Sequence, residues 1–244
     1  MTIPWHRKPL FGFDLETNGT DVETARIVTG STVRYGGGKP NDARSWVSDV
    51  GGQEIPAEAT ALHGWTTEAA RTAGRPAAVV VEEMTAALAA AVEAGYPLVA
   101  MNATFDLSLL DREARRWGVV PLTDRCSPYV VDPRVLDKRV DRYRPGKRTL
   151  SDLCRHYVVR LDAAHTADAD AVAACAVTWK IANRYQWLGR MSLPELHAAQ
   201  VEWAREQAEG LREHFARTPG KEHQAAGVRT EWPFIPHQRT DTGR

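Results

Sequence analysis

The order in which side-chain periodicities change along the chain is the strongest constraint on its fold. Residues 10–16 (LFGFDLE) are short, apolar and rich in Phe, 26–35 (RIVTGSTVRY) are β-branched, and 44–47 resume strand character after the Gly36-Gly37-Gly38 turn signal. Helical spacing then takes over. From 77 to 94, Val80, Met84, Ala87, Leu88 and Ala91 fall on one face, Pro76 opens the segment and Gly95 closes it. A short apolar strand follows at 96–101 (YPLVAM), then helical patterns at 107–117, 149–157 and 166–185. Three strands first and alternating elements afterwards predict an α/β domain built on a mixed sheet, spanning residues 1–190.

Residues 192–217 read as a separate amphipathic helix, with Ser192 as N-cap, Glu195 at the capping-box position and Leu196, Trp203, Leu211 and Phe215 on or near one stripe. That stripe requires a cover: the domain itself, a second copy or another protein. After Thr218-Pro219-Gly220 the sequence turns polar and proline-punctuated, so a flexible tail is predicted over 218–244.

The chain is 43% hydrophobic and 25% charged over 244 residues, which excludes disordered and collagen-like classes. No run of about 18 apolar residues occurs, and Pro4, His6, Arg7 and Lys8 stand where a signal core would be apolar. A cytoplasmic protein without membrane contact is expected. Cys126, Cys154 and Cys175 show no CxxC spacing, so reduced thiols are expected rather than a cysteine zinc site. The 31 Lys+Arg balance the 31 Asp+Glu, which at first sight weighs against a nucleic-acid ligand. The distribution is uneven, however: 133–160 carries nine Lys or Arg, including Arg144 and Lys147, against three acids, with Tyr143 and Tyr157 interleaved. Such a run predicts contact with a phosphate backbone.

Three acidic segments stand out. Asp14 and Glu16 alternate with Leu15 on the first strand, so both carboxylates project to one face, about 6.6 Å apart along it. Asp106 follows the YPLVAM strand, at the sheet edge where α/β proteins build sites, although an acid also suits a helix N-terminus. Asp168 and Asp170 both fall in the first turn of the helix after His165 and point about 200° apart, so only one can face a given site. Carboxylates from three segments with one histidine, and no Ser or Cys nucleophile signature, fit a hard-cation site for Mg2+ or Mn2+. Two such ions about 3.5–4 Å apart support in-line attack of water on a phosphodiester, with a histidine as general base.

Taken in order, FGFDLETNG, ALHGWTTEAA, NATFDLSLLDRE and HTADADA resemble the successive motifs of the DEDDh (DnaQ-like) 3′–5′ exonucleases, the family of the proofreading ε subunit of bacterial DNA polymerase III. The resemblance covers about residues 9–186. It implies a ribonuclease H-like fold with a mixed sheet of about five strands. It also implies a two-metal mechanism that removes nucleotides from the 3′ end of single-stranded or frayed DNA and releases nucleoside monophosphates. On that resemblance Asp14, Glu16, Asp106 and Asp170 bind two divalent cations and His165 is the base; the family spacing selects Asp170 over Asp168. Asp14 would bridge both ions and Asp106 would act mainly at the second, partly through water. Thr17 would lie beside the terminal 3′ hydroxyl, and His63, Trp65, Asn102 and Phe105 would line the substrate site. Three positions depart from the family pattern: Met101 before Asn102, Trp65 after His63-Gly64, and Asn18 after Thr17. None is a metal ligand; they leave the terminal-base pocket open. The motifs do not encode sugar choice, so an RNA exonuclease remains an alternative, as does a catalytically silent module that binds nucleic acid or a DNA polymerase.

Overall fold

The computed structural model describes residues 3–161 and 166–237. Five strands, β1 (Leu10–Thr17), β2 (Ile27–Tyr35), β3 (Asp42–Val47), β4 (Leu98–Val99) and β5 (Val130–Val131), form one sheet in the order β3-β2-β1-β4-β5. The first three strands pair antiparallel, whereas β1, β4 and β5 run parallel. Helices α1 (Ala57–His63), α2 (Thr67–Ala73) and α3 (Ala77–Glu93) join β3 to β4; α4 (Ala103–Arg116) and α5 (Leu122–Arg125) join β4 to β5. Beyond the sheet come α6 (Pro133–Val140), α7 (Leu150–Tyr157), α8 (Ala167–Arg184), α9 (Gln186–Arg190), α10 (Leu193–Arg217) and α11 (Glu222–Ala225). The fold is the mixed sheet flanked by helices that the element order predicts, with the five strands and ribonuclease H-like form that the resemblance implies.

Two glycines let helices lie flush on the sheet. A Cβ on Gly12 would sit 2.7 Å from the Ala171 carbonyl oxygen and 2.8 Å from Cys175 Sγ, so α8 packs directly on β1. On the opposite face a Cβ on Gly30 would meet Met84 Sδ and Leu15 Cδ2, which brings α3 close in the same way. Phe13, Leu10, Ile27, Leu98 and Ile181 are fully buried around this sandwich. Coverage of both faces is why β2 reads as a continuous apolar and small-residue run rather than an alternating one.

Several boundaries differ from the sequence expectation. The helix expected at 107 starts at Ala103, and the strand expected over 96–101 pairs only at Leu98–Val99. The cause is a partner distant in sequence. Asp132 accepts the main-chain N–H groups of Asn102 (3.3 Å) and Ala103 (3.0 Å), capping α4 from outside while Asn102 takes a left-handed conformation (φ 64°). Asp132 also caps its own helix through Arg134 N–H (2.8 Å), with Pro133 in the first turn, so part of the basic run is helical.

The first half of the α10 stripe, Leu196 and Trp203, is buried against the domain itself, while Leu211 and Phe215 are half-buried at the wall of a cavity beside α6. Strand β5 is the sheet edge, and α10 closes it with side chains. Val130 N–H donates to His197 Nδ1 (3.1 Å), Gln200 Nε2 donates to the Val130 carbonyl (3.0 Å), and Asp132 N–H donates to Gln200 Oε1 (2.9 Å). A fully buried amide thus stands in for a sixth strand.

Residues 221–237 correct the expectation of a loose tail. Trp232 is buried against His197 (ring centroids 5.2 Å), Ile235 N–H donates to Ser108 Oγ (2.8 Å), and Arg112 Nη2 donates to the carbonyls of Ile235 (3.0 Å) and Pro236 (3.1 Å). Composition signals a tail because polar residues and prolines dominate it, but the apolar Trp232, Phe234 and Ile235 anchor it. All three cysteines are free thiols. Among the described residues, no helix is long and apolar enough to cross a membrane.

Candidate metal centre and active site

The carboxyl ends of the three parallel strands converge on one edge, and each end carries acid. Strand β1 ends in Asp14 and Glu16, with an irregularity in pairing between Glu16 and Thr17 that turns the chain away. The segment after β4 supplies Asp106 on the first turn of α4, and β5 runs into Asp132. Helix α8, seated over Gly12, adds Asp170 from its own first turn.

Oxygen atoms of Asp14, Glu16 and Asp170 lie within 4.8 Å of one another. Asp106 adjoins this trio without belonging to it: its side chain is buried, and its Oδ1 accepts the Leu15 N–H (3.1 Å), between the two acids of β1. Asp168, the alternative in the same helical turn, is exposed and lines a neighbouring cavity instead. His165 lies outside the described residues.

The electrostatics are those of carboxylates held together against their charge. Burial, and then the carboxylates of Asp106, Asp170 and Glu16, push the Asp14 carboxyl well above its ordinary value. Burial, followed by Asp170, raises Glu16 to about 7. Asp106 is raised chiefly by burial, with its main-chain hydrogen bonds, including that from Leu15, opposing the shift and Asp132 and Glu16 adding to it. A cluster of oxygen donors that repel one another is the donor set a hard divalent cation takes, and cation binding relieves the repulsion. The residues present therefore fit one or more such ions.

A cavity of about 290 Å³ opens beside Glu16, between His63, Trp65, Trp46 and the start of α8. The strand register explains the room there. Asp14 and Glu16 pair with Ser31 and Thr29, and Ser31 with Ser45, so small hydroxyl residues stand beside the acids. Thr29 and Ser31 are spaced two apart on β2, which is the sequence signal for this hydroxyl face; Ser45 joins them only through the pairing of β3. His63 ends α1 and its Nδ1 accepts the Trp65 N–H (3.1 Å); burial lowers its pKa. Trp65 packs on a small apolar cluster of Val28, Val50, Ile55 and Ala70 and presents its remaining surface to the cavity. Thr17 Oγ1 donates to the Gly19 carbonyl (2.7 Å). Phe105 is half-buried against the core, while the exposed Asn102 accepts a hydrogen bond from Arg134 on its Oδ1 (2.5 Å).

Arg144 corrects a sequence expectation. Its guanidinium is turned inward on the fully buried Asp137 (2.6 Å), where Arg148 (2.8 Å) and the Tyr157 hydroxyl (2.7 Å) also donate, so it braces the basic loop rather than facing a ligand. Lys147 is exposed, as a ligand contact requires.

The model of the RNase T exonuclease family matches residues 11–178, a span that contains α4 and most of β1 and α8. The chain belongs to this exonuclease family. Its domain is that of a DEDDh-superfamily nuclease. No curated protein sequence matches the chain. Among solved structures, this exonuclease domain is similar to exonuclease I from Methylocaldum szegediense (18% identity, TM-score 0.61), covering 86% of this chain and 46% of that one. It is also similar to E. coli exonuclease I in complex with a dT13 oligonucleotide (17% identity, TM-score 0.55), covering 74% of this chain and 43% of that one. A third similar structure is exonuclease X in complex with 5′ overhanging duplex DNA (20% identity, TM-score 0.52), covering 78% of this chain and 99% of that one. At these identities the likeness establishes the fold. The chain spans less than half the length of the exonuclease I chains it matches.

Proposed function

We propose that the chain is a metal-dependent 3′–5′ exonuclease that removes nucleotides one at a time from single-stranded or frayed DNA and releases nucleoside monophosphates. The observation that carries this reading is the convergence of Asp14, Glu16 and Asp170 within 4.8 Å, with buried Asp106 beside them, in an exonuclease-family domain.

In this reading Asp14, Glu16, Asp106 and Asp170 hold two divalent cations, Mg2+ or Mn2+. When bound, such ions supply positive charge to the phosphodiester and make water a stronger acid. His165 takes the proton of the attacking water; the new P–O bond forms as the bond to the 3′ oxygen of the penultimate nucleotide breaks, and that oxygen leaves with a proton. Trp65 and His63 line the cavity that receives the terminal nucleotide, with Trp65 stacking on its base. Thr17 Oγ1 keeps lone pairs free to accept from the terminal hydroxyl while its own proton is directed to Gly19. Asn102 and Phe105 line the approach along α4. A DNA polymerase partner would have to meet a surface other than the part of the α10 stripe around Leu196 and Trp203, which the domain covers.

The direction is tested with oligonucleotides labelled at either end, in Mg2+ or Mn2+. A 5′ label should yield a descending ladder and a 3′ label an immediate mononucleotide; the reverse pattern overturns the polarity, and a product broken internally overturns the exonucleolytic mode. An RNA oligonucleotide in parallel reports sugar preference, and faster loss of RNA than of DNA overturns the choice of DNA.

A further inference from the structure

Three cavities outside the acidic centre are contiguous, and Lys138 lines all of them. One of about 530 Å³ lies between Met101–Asn102, α6 and the loop 146–150; one of about 400 Å³ lies between α4, α6, α10 and the segment 224–232; and one of about 640 Å³ runs between α6 and α10. Their shared wall is basic. Among the described residues, Arg148 of this wall binds Asp137 and Arg139 faces Glu206, while Arg142 lies by the Tyr143 ring. Arg134 hydrogen-bonds the neutral Asn102 amide near Asp132, and among the described residues neither Lys138 nor Lys147 makes an ion pair. Lys138 is half-buried between Arg134 and Arg148, with Asp132 the acid that acts on it, and burial and those two neighbours lower its pKa. Asp132 is itself committed to capping α4 and α6, so the like charges gathered around the hollow are stabilised further by an anion from outside.

The hollow begins beside the acidic centre. Asn102 stands four residues before Asp106 at the opening of α4, about 6 Å along the helix axis. From there the groove continues between α6 and α10 to Tyr143, whose ring is 88% exposed at the rim and has Arg142 5.7 Å from its centroid. A row of cations followed by an open aromatic ring is the arrangement that holds single-stranded nucleic acid without reading its sequence.

We propose that Arg134, Lys138 and Lys147 bind the phosphodiesters of a single strand on the 5′ side of the nucleotide being removed, in a tract whose far wall is α10. This rests on the exonuclease reading above and adds to it a length requirement: substrates that reach the tract are favoured over those that end at the acidic centre. It also assigns α10 a role besides closing the sheet edge.

The test compares two substrates in Mn2+: a single-stranded DNA 12-mer, and the p-nitrophenyl ester of thymidine 5′-monophosphate, which ends at the reacting nucleotide. Lys138→Met keeps the aliphatic stem, and Lys147→Ala changes an exposed side chain that the fold does not need. For each, the ratio of kcat/KM on the 12-mer to kcat/KM on the ester should fall at least about tenfold, through KM. The salt slope of 12-mer binding, read by fluorescence anisotropy, should drop by about 0.7 per lost contact. Lys138→Arg should restore most of both. A ratio within twofold of the parent for both variants, with an unchanged salt slope, overturns the tract. If the parent cleaves neither substrate the exonuclease reading fails; the anisotropy slopes then decide the tract by the same criterion.

Discussion

Replacing Asp14 by Asn should make the metal-free protein more stable at pH 8 and abolish its response to divalent cations. With oxygens of Asp14, Glu16 and Asp170 within 4.8 Å, each ionised pair repels by about 3.5 kcal/mol at an effective dielectric of about 20. The fold avoids part of that by retaining protons, which is the meaning of a Glu16 value raised to about 7. Because the folded value lies above the unfolded one, near 4.5, the native state binds the extra proton between those limits. Stability is therefore fully present below about pH 4.5 and is lost as pH rises through about 7. The ceiling on that loss is about 3 kcal/mol, reduced to about 2 because Glu16 is partly exposed and solvent screens it. For a chain of this size that is about 4–8 °C in Tm. Asp14, also raised by burial and its acidic neighbours, acts in the same direction. His6, His63 and His197, whose pKa values burial lowers, oppose this trend below pH 6.5, equally in parent and variant, so the difference between the two proteins isolates the cluster.

The assay is thermal unfolding in chelator at pH 5 and pH 8, then with Mn2+ at about one hundred times its Kd, which adds about 2.7 kcal/mol to a protein with an intact site. The parent should lose stability from pH 5 to pH 8 and regain about 5–11 °C with cation; Asp14→Asn should start higher at pH 8 and gain nothing. A variant that is less stable than the parent in chelator at pH 8, and still shifts with Mn2+, would refute the reasoning.

Three further outcomes follow from the packing. Gly12→Ala pushes a methyl group into the Ala171 carbonyl and displaces α8, so unfolding experiments should show a loss of about 1–3 kcal/mol and a Mn2+ titration a weaker affinity, since Asp170 moves with the helix. Gln200→Ala leaves the Asp132 N–H and the Val130 carbonyl unpaired in the interior, which should lower stability by about 2–4 kcal/mol in urea unfolding and increase hydrogen exchange at β5. Arg112→Ala releases the carbonyls of Ile235 and Pro236 and exposes the segment 221–237 to limited proteolysis; a segment equally resistant in variant and parent would contradict its anchoring role.

Much of the site was legible in the sequence because its signals are local. Asp14 and Glu16 share a face by strand alternation, and Asp106 follows a buried strand, whatever the rest of the chain does. Helical geometry alone separates Asp168 from Asp170 without choosing between them; the motif spacing of the resemblance selects Asp170, and the docking of α8 over Gly12 is the physical reason that it meets β1. The positioning acid Asp132 was missed although Asp-Pro after two valines is a helix-start signal, because its main task is to cap α4, thirty residues earlier. Arg144 looked like a ligand residue because charge counts do not show counter-ions; its partner Asp137 is buried within the same segment. Likewise the apolar stripe of α10 announced a cover without naming it, since the open edge of β5 exists only once the sheet has formed.

The central claim, that the acidic trio holds the cations on which phosphodiester hydrolysis depends, is tested most directly by titrating Mn2+ and Mg2+ into the chelated parent and Asp170→Asn while following nucleotide release from a single-stranded DNA oligonucleotide. The account predicts no release in chelator, saturable activation of the parent, and a rate at least about a thousandfold lower for Asp170→Asn at every cation concentration. Release by the chelated parent, or equal activation of parent and variant, would contradict it.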